Sequence, residues 1–133
     1  MTDLQRFRDA QERVYPAVLG EIQAGDKRSH WMWFIFPQVA GLGSSPTAQH
    51  YAISGREEAR TYLDDPVLGA RLLECTQAVL RHDRQMFGYP DDLKLRSSMT
   101  LFAQVAGDPE PFEAVLAKFY DGPDERTLEL LHQ

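Results

Sequence analysis

Apolar positions along this chain fall mostly at helical intervals. Leu4, Phe7, Ala10, Val14, Val18 and Ile22 recur three or four residues apart, behind Thr2 and Gln5 spaced as a capping box. Pro16 interrupts the stripe, which therefore reads as one kinked helix or as two short ones meeting near Tyr15, with Gly25 as the stop. Ser45-Pro46 has the form of an N-cap followed by proline at the first helical position, opening a short helix through Tyr51 and Ile53. Ser54 and Glu57 form a second capping box ahead of a helix over 55–63. Asp65-Pro66 opens a helix that turns Val67, Leu68, Leu72, Cys75, Val79 and Leu80 inward. After a break at Gly88-Tyr89-Pro90, Leu93, Met99, Leu101, Phe102 and Val105 support another helix, starting at Asp91 or at Asp92 as its cap. Asp108-Pro109 leads into Phe112, Val115, Leu116 and Phe119, closed by Gly122, and Asp124 caps a terminal helix carrying Leu128 and Leu131.

One stretch departs from this rhythm. Residues 30–37, His-Trp-Met-Trp-Phe-Ile-Phe-Pro, lack helical periodicity and are rich in β-prone side chains, so they read as a short strand or buried extended segment. The glycine-rich residues 38–45 read as a loop. The expected fold is mainly α: one compact domain over 1–133, of about six to seven helices, with one short extended aromatic segment.

With 133 residues, 43% of them hydrophobic, the chain suffices for one domain that buries roughly two-thirds of its unfolded surface. The longest apolar run, residues 31–37, is about a third of the roughly 20 residues that a membrane span needs. A net charge of −6 repels phosphate backbones, and the densest basic pair, Lys27-Arg28, is flanked by Asp26, so neither nucleic acid nor membrane is an expected partner. The first residues lack the basic and apolar regions of a signal peptide, and the single cysteine, Cys75, forms no internal disulfide; both fit the cytoplasm.

Three constellations have the residue types for chemistry. Trp31, Trp33, Phe34 and Phe36 on an extended backbone would send rings to two faces, one for the core and one for a cleft on which a planar ring stacks; equally, all four rings read as core. Gly41, Gly43, Ser44 and Ser45 run into a helix start, which suits a phosphate or carboxylate, or is a plain turn with a serine cap. Lys94 precedes Ser97 and Ser98 by three and four residues, so on a helix they share a face with Thr100 nearby. That face reads as a solvated surface, as a ligand contact, or as a lysine-activated serine. The histidines His30, His50, His82 and His132 show no metal-ligand spacing, so no metal or other cofactor is expected; His50, between Gln49 and Tyr51, is the acid–base candidate. Glu57 and Glu58 read as a cap and a solvated surface residue.

The strings from His30 to Gln38, Gly41 to Ser45, Tyr62 through Pro66 to Leu72, and Lys94 to Phe102 closely resemble the domain-of-unknown-function family 1810, over about Phe7 to Leu131. That resemblance implies a mainly helical, stand-alone bacterial domain without an established activity. Members are often labelled calpastatin, but inhibition of that kind uses long disordered repeats, whereas this chain is unrepeated. Residues 45–51 also resemble, over about a tenth of the chain, the Ser-x-Glu-His-Tyr stretch of the NADAR domain, a family of N-glycosidic and ADP-ribosyl hydrolases. Gln49 stands where that pattern carries glutamate, and a carboxamide does not take up a proton as a carboxylate does.

Taken together, these residues point to a nucleotide-like or sugar-phosphate ligand. His30, Trp31, Trp33, Gln38, Gly41, Gly43, Ser45, Tyr51 and Thr100 would bind it, and His50, Lys94, Ser97 and Ser98 would act if a glycosidic or phosphate-linked bond is hydrolysed. The alternative is a non-catalytic module that docks a partner protein or peptide on a Trp31/Trp33 patch.

Overall fold

Nine helices form among residues 3–132, the part of the chain that the computed structural model describes. Thr2, half of the expected capping pair, lies outside those residues. The first stripe makes two helices, α1 (Gln5–Glu12) and α2 (Tyr15–Ala24). Pro16 has no N–H for the carbonyl of Glu12 and its ring would collide there, so α1 ends at Glu12 and the proline enters the first turn of α2 at no cost. Gly25 ends α2 in the left-handed conformation (φ 69°).

The expected extended segment is instead a single helical turn, α3 (Met32–Ile35). The carbonyl of Trp31 accepts the N–H groups of Phe34 and Ile35, and that of Met32 accepts Phe36 N–H. Extended backbone would turn residues 31, 33 and 35 to one face. Here Trp31, Met32, Ile35 and Phe36 go inward together while Trp33 and Phe34 are only half-buried. The β-propensity of these residues has no neighbouring strand to act through, so tertiary packing sets the conformation.

The later helices are α4 (Pro46–His50), α5 (Arg56–Asp64), α6 (Leu68–Leu80), α7 (Asp91–Val105), α8 (Glu110–Phe119) and α9 (Glu125–Leu131). Their local start signals mostly act as the sequence implies. Ser45 Oγ accepts Ala48 N–H (3.1 Å), Asp65 Oδ1 accepts Val67 and Leu68 N–H (both 2.9 Å), and Asp124 Oδ2 accepts Thr127 N–H (2.9 Å). Two differ. Ser54 does not cap α5 through its hydroxyl; its own N–H donates to Glu58 Oε1 (3.0 Å), and Glu58 is buried and paired with Arg6 (3.1 Å) rather than solvated. Asp92 is already inside α7, which begins at Asp91 after Pro90.

Helices α5 to α8 pack on one another around Tyr62, Leu72, Leu95, Met99, Phe102 and Val115, while α2 leans on α6, α1 on α3, and α9 on α7. Val67, read as inward from its spacing, is exposed, and so is Leu93 on α7. Cys75 is buried, and its burial pushes the thiol pKa up to about 12, so it is an inert core residue. Among the described residues no helix is long and apolar enough to cross a membrane.

Candidate functional site

Two polar side chains far from α3 in sequence hold it in place. Gln11, fully buried on α1, donates from Nε2 to the carbonyl of Phe34 (2.8 Å) and to the Tyr62 hydroxyl (3.1 Å). Glu21 on α2 accepts the Trp31 indole N–H (2.9 Å), the backbone N–H groups of Arg28 (2.7 Å) and Ser29 (3.0 Å), and the Ser29 hydroxyl (2.9 Å). Trp31 is thereby locked into the core at 1% exposure, edge-on to Phe87 with ring centroids 5.9 Å apart. Trp33, two residues on, is left at the surface with its indole N–H unpaired among the described residues.

Partial burial raises the pKa of Glu21, but the bonds from Trp31, Arg28 and Ser29 outweigh it and hold the carboxyl at about 2, against an ordinary 4.5. A depressed carboxylate stabilises the fold fully above its unfolded pKa, and that contribution is lost as pH falls from about 4.5 toward 2. Discounted for solvent screening, it is on the order of 1 kcal/mol. Urea unfolding at pH 5.5 and pH 3 should show Glu21→Gln losing less stability over that interval than the natural chain; equal losses would mean that this carboxylate contributes nothing.

Residues 38–53 fold back on themselves. Ala40 N–H donates to Ile53 O and Ile53 N–H to Gln38 O (both 2.8 Å), making one parallel bridge between Val39 and Ile53 that closes the segment at its base. Arg6 on α1 clamps the returning limb, with its guanidinium donating to the carbonyls of His50 (2.8 Å) and Ala52 (2.9 Å) while pairing with Glu58. Inside the closed segment lies a depression of about 120 Å³, lined by Trp33, residues 38–43, Gln49, Tyr51 and Ala52. Beside it is a wider, more open bowl of about 430 Å³, lined by His30, Trp33, Phe34, Pro46, Thr47, His50 and Tyr51. Trp33 and Tyr51 line both. Tyr51 is braced by Phe34 (5.4 Å between centroids), Phe7 (5.8 Å) and the edge of His50 (4.6 Å).

His30, Trp33, Gln38, Gly41, Gly43, His50 and Tyr51, all singled out in the sequence, thus converge on this pair of depressions. The glycines have packing roles of their own. A Cβ on Gly43 would lie 2.6 Å from that of Ala48, and Gly41 (φ 105°) abuts Leu130 of α9, so their absent side chains admit neighbours within the fold. Ser45 is the α4 cap, and the Gln49 carboxamide is tied to Ser44 O (2.9 Å).

Other expected members lie elsewhere. Trp31 is in the core. Ser97 and Ser98 do not share a solvated face with Lys94: both are buried, because α7 packs against α3, α5, α8 and α9 and is enclosed on most sides. Ser97 Oγ donates to Leu93 O (3.1 Å), and Ser98 Oγ has no partner among the described residues. Thr100 Oγ1 donates to Arg96 O and accepts Asp124 N–H (both 2.8 Å), tying α7 to α9 beside a different depression. Lys94 is near the site, with its ammonium 4.4 Å from the centre of the Trp33 ring. Among the described residues no three His, Cys, Asp or Glu side chains gather as a metal site would require.

A family model described as "Protein of unknown function (DUF1810)" matches residues 1–131. The chain belongs to the DUF1810 family. Among solved structures, this DUF1810 chain is similar to the conserved hypothetical protein Rv1873 from Mycobacterium tuberculosis. The two are 53% identical with a TM-score of 0.95, over 98% of this chain and 97% of that one. No curated protein matches the sequence. The DUF1810 fold is therefore shared with a crystallographically solved relative.

Proposed function

We propose that this domain binds a small molecule with a planar ring, seated in the open bowl against Trp33 and Tyr51. The observation that carries the reading is the aromatic wall of Trp33 and Tyr51 common to two adjoining depressions. An outer bowl of about 430 Å³ is within the usual size of ligand sites, and the inner depression, with Gln38 and Gln49 in its lining, suits a small polar substituent. The free indole N–H of Trp33, the imidazoles of His30 and His50 and the polar residue Thr47 supply polar groups among the rings of the lining. Residue choice supports binding rather than turnover, since the Ser97 and Ser98 hydroxyls that a serine mechanism requires are turned into the fold.

Docking of a protein or peptide on paired tryptophans is less well supported, because Trp31 is removed from the surface. A thermal-shift panel of nucleosides, nucleotides, sugar phosphates and nicotinamide compounds tests the reading. A ligand at about 100 times its Kd adds roughly 2.7 kcal/mol, a rise in Tm of several degrees. At least one ring-bearing compound should give that shift, and Trp33→Ala should abolish it. A flat panel, or a shift that survives Trp33→Ala, would contradict the proposal.

A further inference from the structure

Lys94 and Lys27 make a matched pair with different surroundings. Each ammonium lies over a tryptophan ring, Lys27 at 5.1 Å from the centre of Trp31 and Lys94 at 4.4 Å from that of Trp33. Both share one carboxylate: Asp91 Oδ2 is 3.2 Å from Lys27, and Asp91 Oδ1 is 3.6 Å from Lys94. The two lysines and the aspartate leave one positive charge over, in a chain whose net charge is −6. Lys27 faces the buried ring and belongs to the scaffold. Lys94 faces the ring that lines the bowl, its side chain is 22% exposed, and its ammonium makes no hydrogen bond among the described residues. An ammonium on a largely covered side chain, with no hydrogen bond of its own and half a counter-ion, is suited to an anionic oxygen.

We infer that the ring-bearing ligand carries an anionic group, a phosphate or a carboxylate, and that Lys94, seated over the Trp33 ring, is the residue that receives it. The inference rests on the ring-binding reading above and adds its charge specificity. Asp91 then has a second role: it orients Lys94 in the empty site and competes with the incoming anion for it. A lysine is enough for either anion, because it acts as a compact point charge without the planar fork that would select a carboxylate or phosphate by shape.

Matched probes separate the possibilities. Tryptophan emission and thermal shift would be followed with adenosine against adenosine 5′-monophosphate, and with nicotinamide against nicotinate, at low and at 0.5 M salt. The anionic member of at least one pair should bind about tenfold more tightly than the neutral one. High salt and Lys94→Gln should each remove that advantage without weakening the neutral member, and Asp91→Asn should enlarge it. Preference in the first pair identifies phosphate as the group taken, and preference in the second identifies carboxylate. Equal binding of neutral and anionic members, or a preference that survives Lys94→Gln, would overturn the inference while leaving ring binding intact. Failure of all four probes to bind, alongside a flat ligand panel, would remove both.

Discussion

Gly69→Ala should cost the domain about 3 kcal/mol or more and lower its Tm by on the order of 10 °C. Gly69 sits in the first turn of α6, where the end of α5 passes so closely that an added Cβ would fall 2.1 Å from the carbonyl oxygen of Leu63 and 2.9 Å from its carbon. Those atoms are backbone. Neither can rotate away as a side chain would, so α5 and α6 must separate, and with them the packing around Tyr62 and Leu72. Gly20, on the outer side of α2, is the control: nothing lies within 4 Å of its added Cβ. Gly20→Ala should raise stability by roughly 0.5–1 kcal/mol through helix propensity and a less flexible unfolded chain. Urea denaturation of the two variants should move the midpoint in opposite directions. Shifts of the same sign and similar size would mean that the α5–α6 approach is looser than described.

Trp31→Ala and Trp33→Ala should differ as sharply, although only Met32 separates the two residues. Trp31 is fully buried among Phe36 and Phe87, and its indole N–H satisfies Glu21. Removing it leaves a large cavity and takes one donor from that carboxylate, a loss of about 3–5 kcal/mol. Trp33 is half-buried on the site wall and its indole makes no hydrogen bond among the described residues, so its removal should cost about 1 kcal/mol or less. Thermal unfolding by circular dichroism reads the contrast directly. Comparable destabilisation by both would contradict the division of the aromatic turn into an anchor and a platform.

That division marks where the sequence stops being legible. Signals that act within a few residues, such as the caps at Ser45, Asp65 and Asp124, the stop at Gly25 and the break around Pro16, give the helices nearly as they form, because both partners lie in one window. The turn at 32–35 depends instead on Gln11 and Glu21, which reach it across 23 and 10 residues. A local reading has only the β-propensity of the rings. Gln11 did leave a trace, as a polar residue on the Leu4–Phe7 stripe, whereas nothing near Arg6 points to the His50 and Ala52 carbonyls that it holds. Helical spacing places Lys94 beside Ser97 and Ser98, but how many sides of α7 its neighbours cover is a tertiary fact. Trp33, His30, His50 and Tyr51 were nameable as candidates from residue type; their meeting in one bowl depends on the Val39–Ile53 bridge that closes the loop.

If Trp33 is the ligand's platform, a fluorescence titration will report it, because the chain has two tryptophans and only one lines the bowl. With a compound that raises the Tm, emission should change saturably in the natural protein and in Trp31→Phe, and the change should vanish in Trp33→Phe while that variant stays folded. A saturable change that persists in Trp33→Phe, or a stabilising compound that leaves tryptophan emission unaltered, would place the ligand elsewhere and contradict the account.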